Sequence, residues 1–483
     1  MSHPIIGWEK ESAIPSHRFN TYLSAHKGHL YYDDLNLANL FLSPHEEHGL
    51  EKALQSPLEI VYLPRIRQKI DQMRDTFNKV IQDVGYNGRF HYVYASKANA
   101  AEEVVRTTLG VGAHHETSAS MDIEILRFMK QMGHLPSERM VVCNGFKPSG
   151  STYAESIVML KREHEAVIPV VDDLTELPPL IDSGLPFDLG LRQKSYGRHQ
   201  DLTEMEAANS RFGMDVEGIW KAAEIISQHS HLSLKLYHAM VGSQILDIED
   251  FIQRLRPPIE IFAQLRREYP ELSIFDFGGG VPVPMTLDFQ FDYSEFARQL
   301  LMAIKETCDR YDVPVPDVMG EFGRYTVAEH GAHLFKITHV KVNASQYPWY
   351  IIDGSIMSSF PDSWALGEHF TVLPLNNLDS SFQRVQLGGI TCDSDDIYPP
   401  HKSQSPLLLP VDTENLYIGF FGIGAYQEML GGVGGSKHCV IPEADELIID
   451  RDEQGEYQFQ LLQGQGVSKV LGNLGYVSER TYR

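Results

Sequence analysis

Between about residue 85 and residue 335 the chain alternates short apolar runs with helical stretches, which limits its possible architectures more than any other feature. The runs fall at 90–95, 109–114, 140–143, 166–171, 188–191, 234–237, 273–277 and 317–320. Each is rich in β-branched or aromatic residues and gives way to a polar or Gly-rich turn, the pattern of a buried strand. Between them, Val216–Ser227 and residues 293–308 carry apolar side chains at helical spacing. Eight such units over about 250 residues match a (β/α)8, TIM-like barrel, although a doubly wound open sheet would alternate in the same way. Beyond residue 335 the texture changes to strand-like segments such as Leu334-Phe-Lys-Ile-Thr-His-Val-Lys-Val342 and Leu416-Tyr-Ile-Gly-Phe-Phe421, predicting a β-rich second domain. The expected organisation is therefore a segment 1–60 joining the β-rich domain, a barrel over 61–335 and the β-rich domain over 336–483. The longest loop is expected over 395–407.

The formal net charge of −24 argues against nucleic acid, whose phosphates need a basic surface, and suits a cationic small substrate. No apolar run approaches the 18 or so residues of a membrane span, and no basic-then-apolar leader opens the chain. The four cysteines, Cys143, Cys308, Cys392 and Cys439, form no CxxC pair, which removes the usual zinc signatures; no metal site is expected. Free thiols point to a reducing, cytoplasmic setting.

The unusual residues cluster after the strand-like runs, where a barrel builds its active-site face. Lys97 ends the run Phe90-His-Tyr-Val-Tyr-Ala-Ser-Lys97. Burial at that place would lower its pKa towards the neutral amine that attacks a carbonyl, whereas an ordinary strand-end lysine would snorkel into solvent. Gly278, Gly279 and Gly280 leave backbone N–H groups bare for an anion. Glu321-Phe-Gly-Arg324 adds a carboxylate, Gly323 and a guanidinium fork; Glu116 and Ser243 are expected on the same rim.

Taken together these motifs resemble the fold-type III, alanine-racemase-like, pyridoxal-phosphate decarboxylases. Tyr94-Ala-Ser-Lys-Ala-Asn99 resembles the cofactor-lysine motif, Gly278-Gly-Gly280 the phosphate glycines, and Glu321-Phe-Gly-Arg324 the Glu-Pro-Gly-Arg motif with Phe322 in place of proline. Thr391-Cys-Asp-Ser-Asp395 and Gly424-Ala-Tyr426 resemble two further elements in the right order. The resemblance implies a barrel, pyridoxal 5'-phosphate bonded to Lys97, and a homodimer whose active sites are shared across the interface. It implies Glu321 facing the pyridine nitrogen, and Gly278–Gly280, Gly323 and Arg324 facing the phosphate. Glu116, Ser243 and Tyr426 would line the cofactor site. Cys392, from the partner subunit, would protonate Cα after CO2 leaves, and Asp393 would bind the distal cationic end of the substrate. One departure concerns the histidine that stacks on the cofactor ring, which lies three residues before the serine in the family. In Tyr237-His-Ala-Met-Val-Gly-Ser243 that place is Met240, with His238 two residues earlier and on the same strand face. Met240 is expected to cover the ring, with His238 as the alternative.

Ser358-Ser-Phe-Pro-Asp-Ser-Trp364 is similar to the Leu-Pro-Asp-Ala-Trp segment of biosynthetic arginine decarboxylases, although this chain leaves little room for their helical insertion. Where diaminopimelate decarboxylases place an arginine against a substrate carboxylate, Asp362 stands here. A carboxylate would repel such a substrate and pair with a guanidinium. Asp362 also suits a helix N-cap. The resemblance thus implies decarboxylation of L-arginine to agmatine, a step of polyamine formation. Lysine, ornithine (L or D) and diaminopimelate are alternative substrates. A racemase on the same fold is less favoured, because it needs a second acid/base, commonly a tyrosine, where this chain has Cys392-Asp393; a non-catalytic relative is less favoured because Lys97, Arg324 and Cys392 are all present.

Overall fold

The predicted alternation closes on itself. In a computed structural model, which describes residues 16–194, 210–287, 289–342, 347–400 and 406–476, eight parallel strands form a closed barrel. They are β1 (Phe90–Ala95), β2 (His114–Thr117), β3 (Val141–Cys143), β4 (Val167–Val171), β5 (Phe187–Arg192), β6 (Leu232–His238), β7 (Ile274–Asp276) and β8 (Asp317–Phe322). Closure comes from β8 pairing in parallel with β1, Val318 opposite Phe90 through Phe322 opposite Tyr94. These strands belong to a unit made of Ile66–Val283 and Phe291–Thr326.

One run differs from the expectation. Residues 109 and 110 close a helix, Glu102–Gly110, and β2 starts only at His114. Val105 and Leu109 lie four apart and both are buried, so the apolar residues of this run continue a helical face. Gly112, at φ +93°, turns the chain into the strand. The shift brings Glu116 inside β2, and β8 likewise runs through Glu321, so both lie within strands and not after them. The helices Val216–Ser227 and Tyr293–Tyr311 form where their spacing predicts. Asp215 caps the first, accepting from the Gly218 N–H at 2.8 Å.

The barrel interior is layered by the two-residue period of its strands. Val93, Val142, Ile168, Val170, Leu236, Ile274 and Met319 form a buried apolar plug. Two residues further along five of these strand lines stand Asn144, Asp172, His238, Asp276 and Glu321, all buried. Side chains two apart share a face, so a polar layer sits on the apolar one at the C-terminal ends of the strands.

The second unit consists of Met1–Arg65, Pro284–Gln290 and Val327–Arg483. Its main sheet has ten strands, in which Gly331–Lys341 pairs antiparallel with Leu58–Tyr62, Trp349–Ile352 and Tyr417–Phe421. Asp445–Arg451 adds in parallel to Leu58–Tyr62. A smaller sheet of four strands spans Ser16–Arg18 to Leu35–Asn36. The main sheet is covered on both faces: Leu334 and Tyr417 pack into one apolar cluster, while their neighbours Phe335 and Ile418 pack into another. The predicted 395–407 loop contains a short strand, Ile397–Tyr398, and its residues 401–405 lie outside the described residues. No helix among the described residues is long and apolar enough to cross a membrane.

Burial of histidines gives the fold an acid sensitivity. His115, in β2 and edge-on to Tyr94, is held neutral by desolvation, its pKa lowered to about 3. A folded pKa below the unfolded value of about 6.5 means stability present above pH 6.5 and lost as pH falls towards the folded value. His115→Leu removes that proton uptake. The stability gap between variant and parent in urea unfolding is therefore expected to narrow by about 1.4 kcal/mol per pH unit below pH 6.5. A gap independent of pH would contradict the assignment.

Candidate functional site

The polar layer is where charged groups meet. Lys97 sits in a single turn of 3-10 helix, Ser96–Ala98, directly after β1. Its side chain is half-exposed, with Nζ 3.6 Å from Oε1 of the fully buried Glu116. The expected burial of this ammonium is therefore not found: Lys97 lies at the barrel mouth, above the apolar plug. Ser118 Oγ donates to the same Glu116 oxygen at 2.9 Å, while Oε2 has no hydrogen-bond partner among the described residues.

Across the mouth, Glu321 Oε1 accepts from Asn144 Nδ2 at 2.7 Å, and Oε2 lies 3.6 Å from His238 Nε2. Burial raises the Glu321 pKa, with Glu116 adding and Lys97 opposing. Burial pushes His238 well below the ordinary histidine value, helped by Arg192, Lys97 and Lys147, so its ring is neutral. Both ring nitrogens of His238 lack a hydrogen-bond partner among the described residues.

The glycine run after β7 is built for close approach. Gly278 has φ +69°, and a Cβ there would meet Met240 Sδ at 2.8 Å and His238 Nε2 at 3.2 Å. Gly280 has φ +89°, and a Cβ there would collide with the Gly242 carbonyl, with Ser243 Cα just beyond at 3.5 Å. The expected bare N–H groups are not all found: the Gly278 N–H donates to Asp276 Oδ1 at 2.8 Å and the Gly279 N–H to Met240 Sδ at 3.3 Å, side chains that fold back onto the turn. Met240, His238 and Ser243 thus all border the glycines, Met240 on the backbone N–H side and His238 beside Glu321. Gly323 and Arg324 follow β8 directly, Arg324 opening the short helix Arg324–Val327.

Asp362, Cys392, Asp393 and Tyr426 belong to the β-rich unit. Asp362 is not an N-cap: the helix Pro361–Leu366 has Phe360 at its cap and Asp362 inside its first turn. Its Oδ2 accepts from Gln427 Nε2 at 2.8 Å, and its N–H donates to Gln427 Oε1 at 3.2 Å, a two-way clamp in a buried setting. Cys392 is exposed. Its loop is tied by the buried Asp396, which accepts from Thr391 Oγ1 at 2.6 Å and from Ser355 Oγ at 3.1 Å. Asp393 Oδ2 lies 3.0 Å from His438 Nε2. Tyr426 has φ +70° and ψ −34°, a positive-φ conformation that costs a bulky residue on the order of 1–3 kcal/mol and that clusters at functional sites.

Five of these neighbours escape a reading by motif: Asn144, Asp276, Asp396, Gln427 and His438. For Asn144 and Asp276 a signal existed, since each lies two residues after an apolar strand residue that faces the barrel interior. Nothing in the sequence pairs Gln427 with Asp362, or His438 with Asp393.

Comparison with known proteins follows this geometry. The family described as "Pyridoxal-dependent decarboxylase, pyridoxal binding domain" matches residues 64–328, more than half of the chain. A biosynthetic arginine decarboxylase of Marinobacter nauticus is 23% identical, covering 87% of this chain and 84% of that protein. That alignment spans 559 positions, more than this chain contains, so the relative carries segments absent here. The corresponding Aeromonas salmonicida protein is also 23% identical, over 90% of this chain and 86% of its own. Among solved structures, a biosynthetic arginine decarboxylase from Campylobacter jejuni superposes with a TM-score of 0.80 at 20% identity, covering 95% of this chain and 89% of that one. A diaminopimelate decarboxylase from M. jannaschii, in complex with L-lysine, gives 0.75 at 20% identity, covering 94% and 97%.

Proposed function

The chain belongs to the pyridoxal-dependent decarboxylase family, and from that membership we propose that it decarboxylates a basic amino acid, L-arginine first, to agmatine and carbon dioxide. The observation that carries the reading is the barrel mouth, where Lys97, Glu116, Glu321 and the glycine run meet over one apolar plug. These residues fit pyridoxal phosphate on two counts. The glycine run has no room for side chains against Met240, Glu321 and Gly242, which keeps its backbone open to close approach, and the buried Glu116 Oε2 and His238 nitrogens lack hydrogen-bond partners among the described residues. Lys97 would bond the aldehyde, Gly278–Gly280, Gly323 and Arg324 would bind the phosphate with Ser243 beside them, and Glu321 would face the ring nitrogen. Met240 and His238 would border the ring. When bound, the cofactor supplies the sink for the electrons left as CO2 departs.

Asp362 and Asp393 supply the acidic character expected of a pocket for a cationic tail, and the arginine decarboxylases among its relatives favour a guanidinium. The test is CO2 release by cofactor-loaded protein from L-arginine, L-lysine, L-ornithine, their D-forms and meso-diaminopimelate. Preference for L-arginine supports the reading; preference for another member keeps the chemistry and replaces the substrate. Silence across the panel would sink it.

We further propose a homodimer of the cytoplasm in which Cys392 serves the partner's site as the acid that protonates Cα. Exposed Ile390 and Val440, beside Cys392 and Cys439, support an apolar contact there. Cys392→Ala is expected to keep cofactor binding and to lower kcat by about 10²–10⁴-fold. Lys97→Ala mixed with Cys392→Ala should then restore about a quarter of parent activity, since half of the dimers formed carry one intact site. Failure to recover activity when hybrid dimers form would remove the shared site.

A further inference from the structure

Asp276 is the last residue of β7 and is fully buried in the polar layer. Its Oδ1 accepts the Gly278 N–H at 2.8 Å, and its Oδ2 has no standard donor among the described residues. Carboxylate oxygens of Asp276 and Glu321 and a ring nitrogen of His238 all lie within 4.8 Å of one another. Two buried carboxyls this close repel each other's charge, so that ionising one opposes ionising the other. The pair therefore holds a proton, and the surroundings decide where. Burial and the Glu116 charge oppose the Glu321 anion, but Glu321 receives the Asn144 N–H and feels the Lys97 ammonium, both of which favour it. Asp276 has one backbone N–H, and the charges facing it, Glu321 and Glu116, are negative. The neutral His238 ring adds no positive charge.

We propose that Asp276 is kept as the neutral acid and donates its O–H to Glu321, so that it is a positioning residue holding the Glu321 carboxylate aimed and ionised. This rests on the reading of Glu321 as the partner of the cofactor's ring nitrogen. Burial and the Glu321 charge push the Asp276 pKa well above the usual carboxylate range, in the same sense. The Gly278 bond gives the arrangement a second use: Asp276 ties the anion cradle and the ring-nitrogen carboxylate to a single side chain. The proton is shared within the pair and is not consumed in turnover.

Asp276→Asn tests this directly, because an amide accepts from Gly278 and donates to Glu321 as a neutral acid would, but carries no proton to lose. Infrared spectra at about pH 8, where ordinary carboxyls are ionised, should show a protonated-carboxyl band in the parent that the variant lacks. Cofactor affinity should stay within about threefold of the parent in Asp276→Asn and fall at least about tenfold in Asp276→Leu, which cannot donate. Loss of affinity in Asp276→Asn as large as in Asp276→Leu overturns the proposal, as does a protonated-carboxyl band unchanged by Asp276→Asn. Should the variants fail to fold, carbon-13 labelling of aspartate carboxyls decides: a parent band that shifts supports it, and an absent or unshifted one overturns it. The infrared measurement needs neither cofactor nor substrate, so its failure is distinct from a failure to bind pyridoxal phosphate.

Discussion

Borohydride reduction of the cofactor-loaded protein is expected to fix the cofactor on Lys97 alone, and Lys97→Ala to lose both the covalent label and turnover, the latter by on the order of 10³-fold or more. The alternative acceptor in the barrel is Lys147, and the structure explains why it does not compete. Lys147 is buried with its three donors spent on the Gly145 carbonyl at 2.8 Å, the Val170 carbonyl at 2.6 Å and Glu176 Oε2 at 2.9 Å. Breaking such a buried pair costs on the order of 3–5 kcal/mol, so its amine is a fixture of the fold. Lys97 instead stands half-exposed at the mouth beside Glu116. An amine at a rim can reach a carbonyl brought to the mouth from outside. Peptide mapping after reduction reads the outcome, and a label on Lys147 or retained turnover in Lys97→Ala would sink the assignment.

The contrast between these two lysines also marks what a sequence of this kind makes legible. Lys97 stands out because it ends a strand-like run, and strands are visible as short apolar segments whose period needs no tertiary information. The barrel and the β-rich unit follow from the same local signal, which is why β1, β4 and β6 emerge within two residues of their expected ends. Leu109 falls wrongly into a strand-like run for the same reason: one buried residue fits a helix end as well as a strand start, and only the packing of Val105 beside it decides. Degree of burial is less legible still. Lys97 at the end of an apolar run suggests a buried ammonium, yet it lies where the interior has already turned polar. Partners set by tertiary register, Asn144 on Glu321 or Gln427 on Asp362, join residues 177 and 65 positions apart and leave no local trace.

Gln427 is what makes the substrate prediction sharp. Asp362→Asn is expected to lower kcat/KM for L-arginine by about 10–100-fold, the value of one charge-assisted hydrogen bond of roughly 1.5–3 kcal/mol, while a shorter amine that does not reach this carboxylate loses less. The amide oxygen of asparagine can still accept from Gln427 Nε2, and the Asp362 N–H to Gln427 Oε1 bond is a backbone contact the substitution leaves in place. The helix Pro361–Leu366 does not depend on the charge as a cap, since Phe360 holds that position. Structure is thereby kept while charge is removed, so the ratio of kcat/KM for arginine over ornithine isolates recognition of the guanidinium. A fall in that ratio assigns Asp362 to the substrate's distal end. An equal loss on both substrates, with Tm lowered, would instead make the Asp362–Gln427 clamp a packing device of the β-rich unit and leave Asp393 as the acidic group to be tested next.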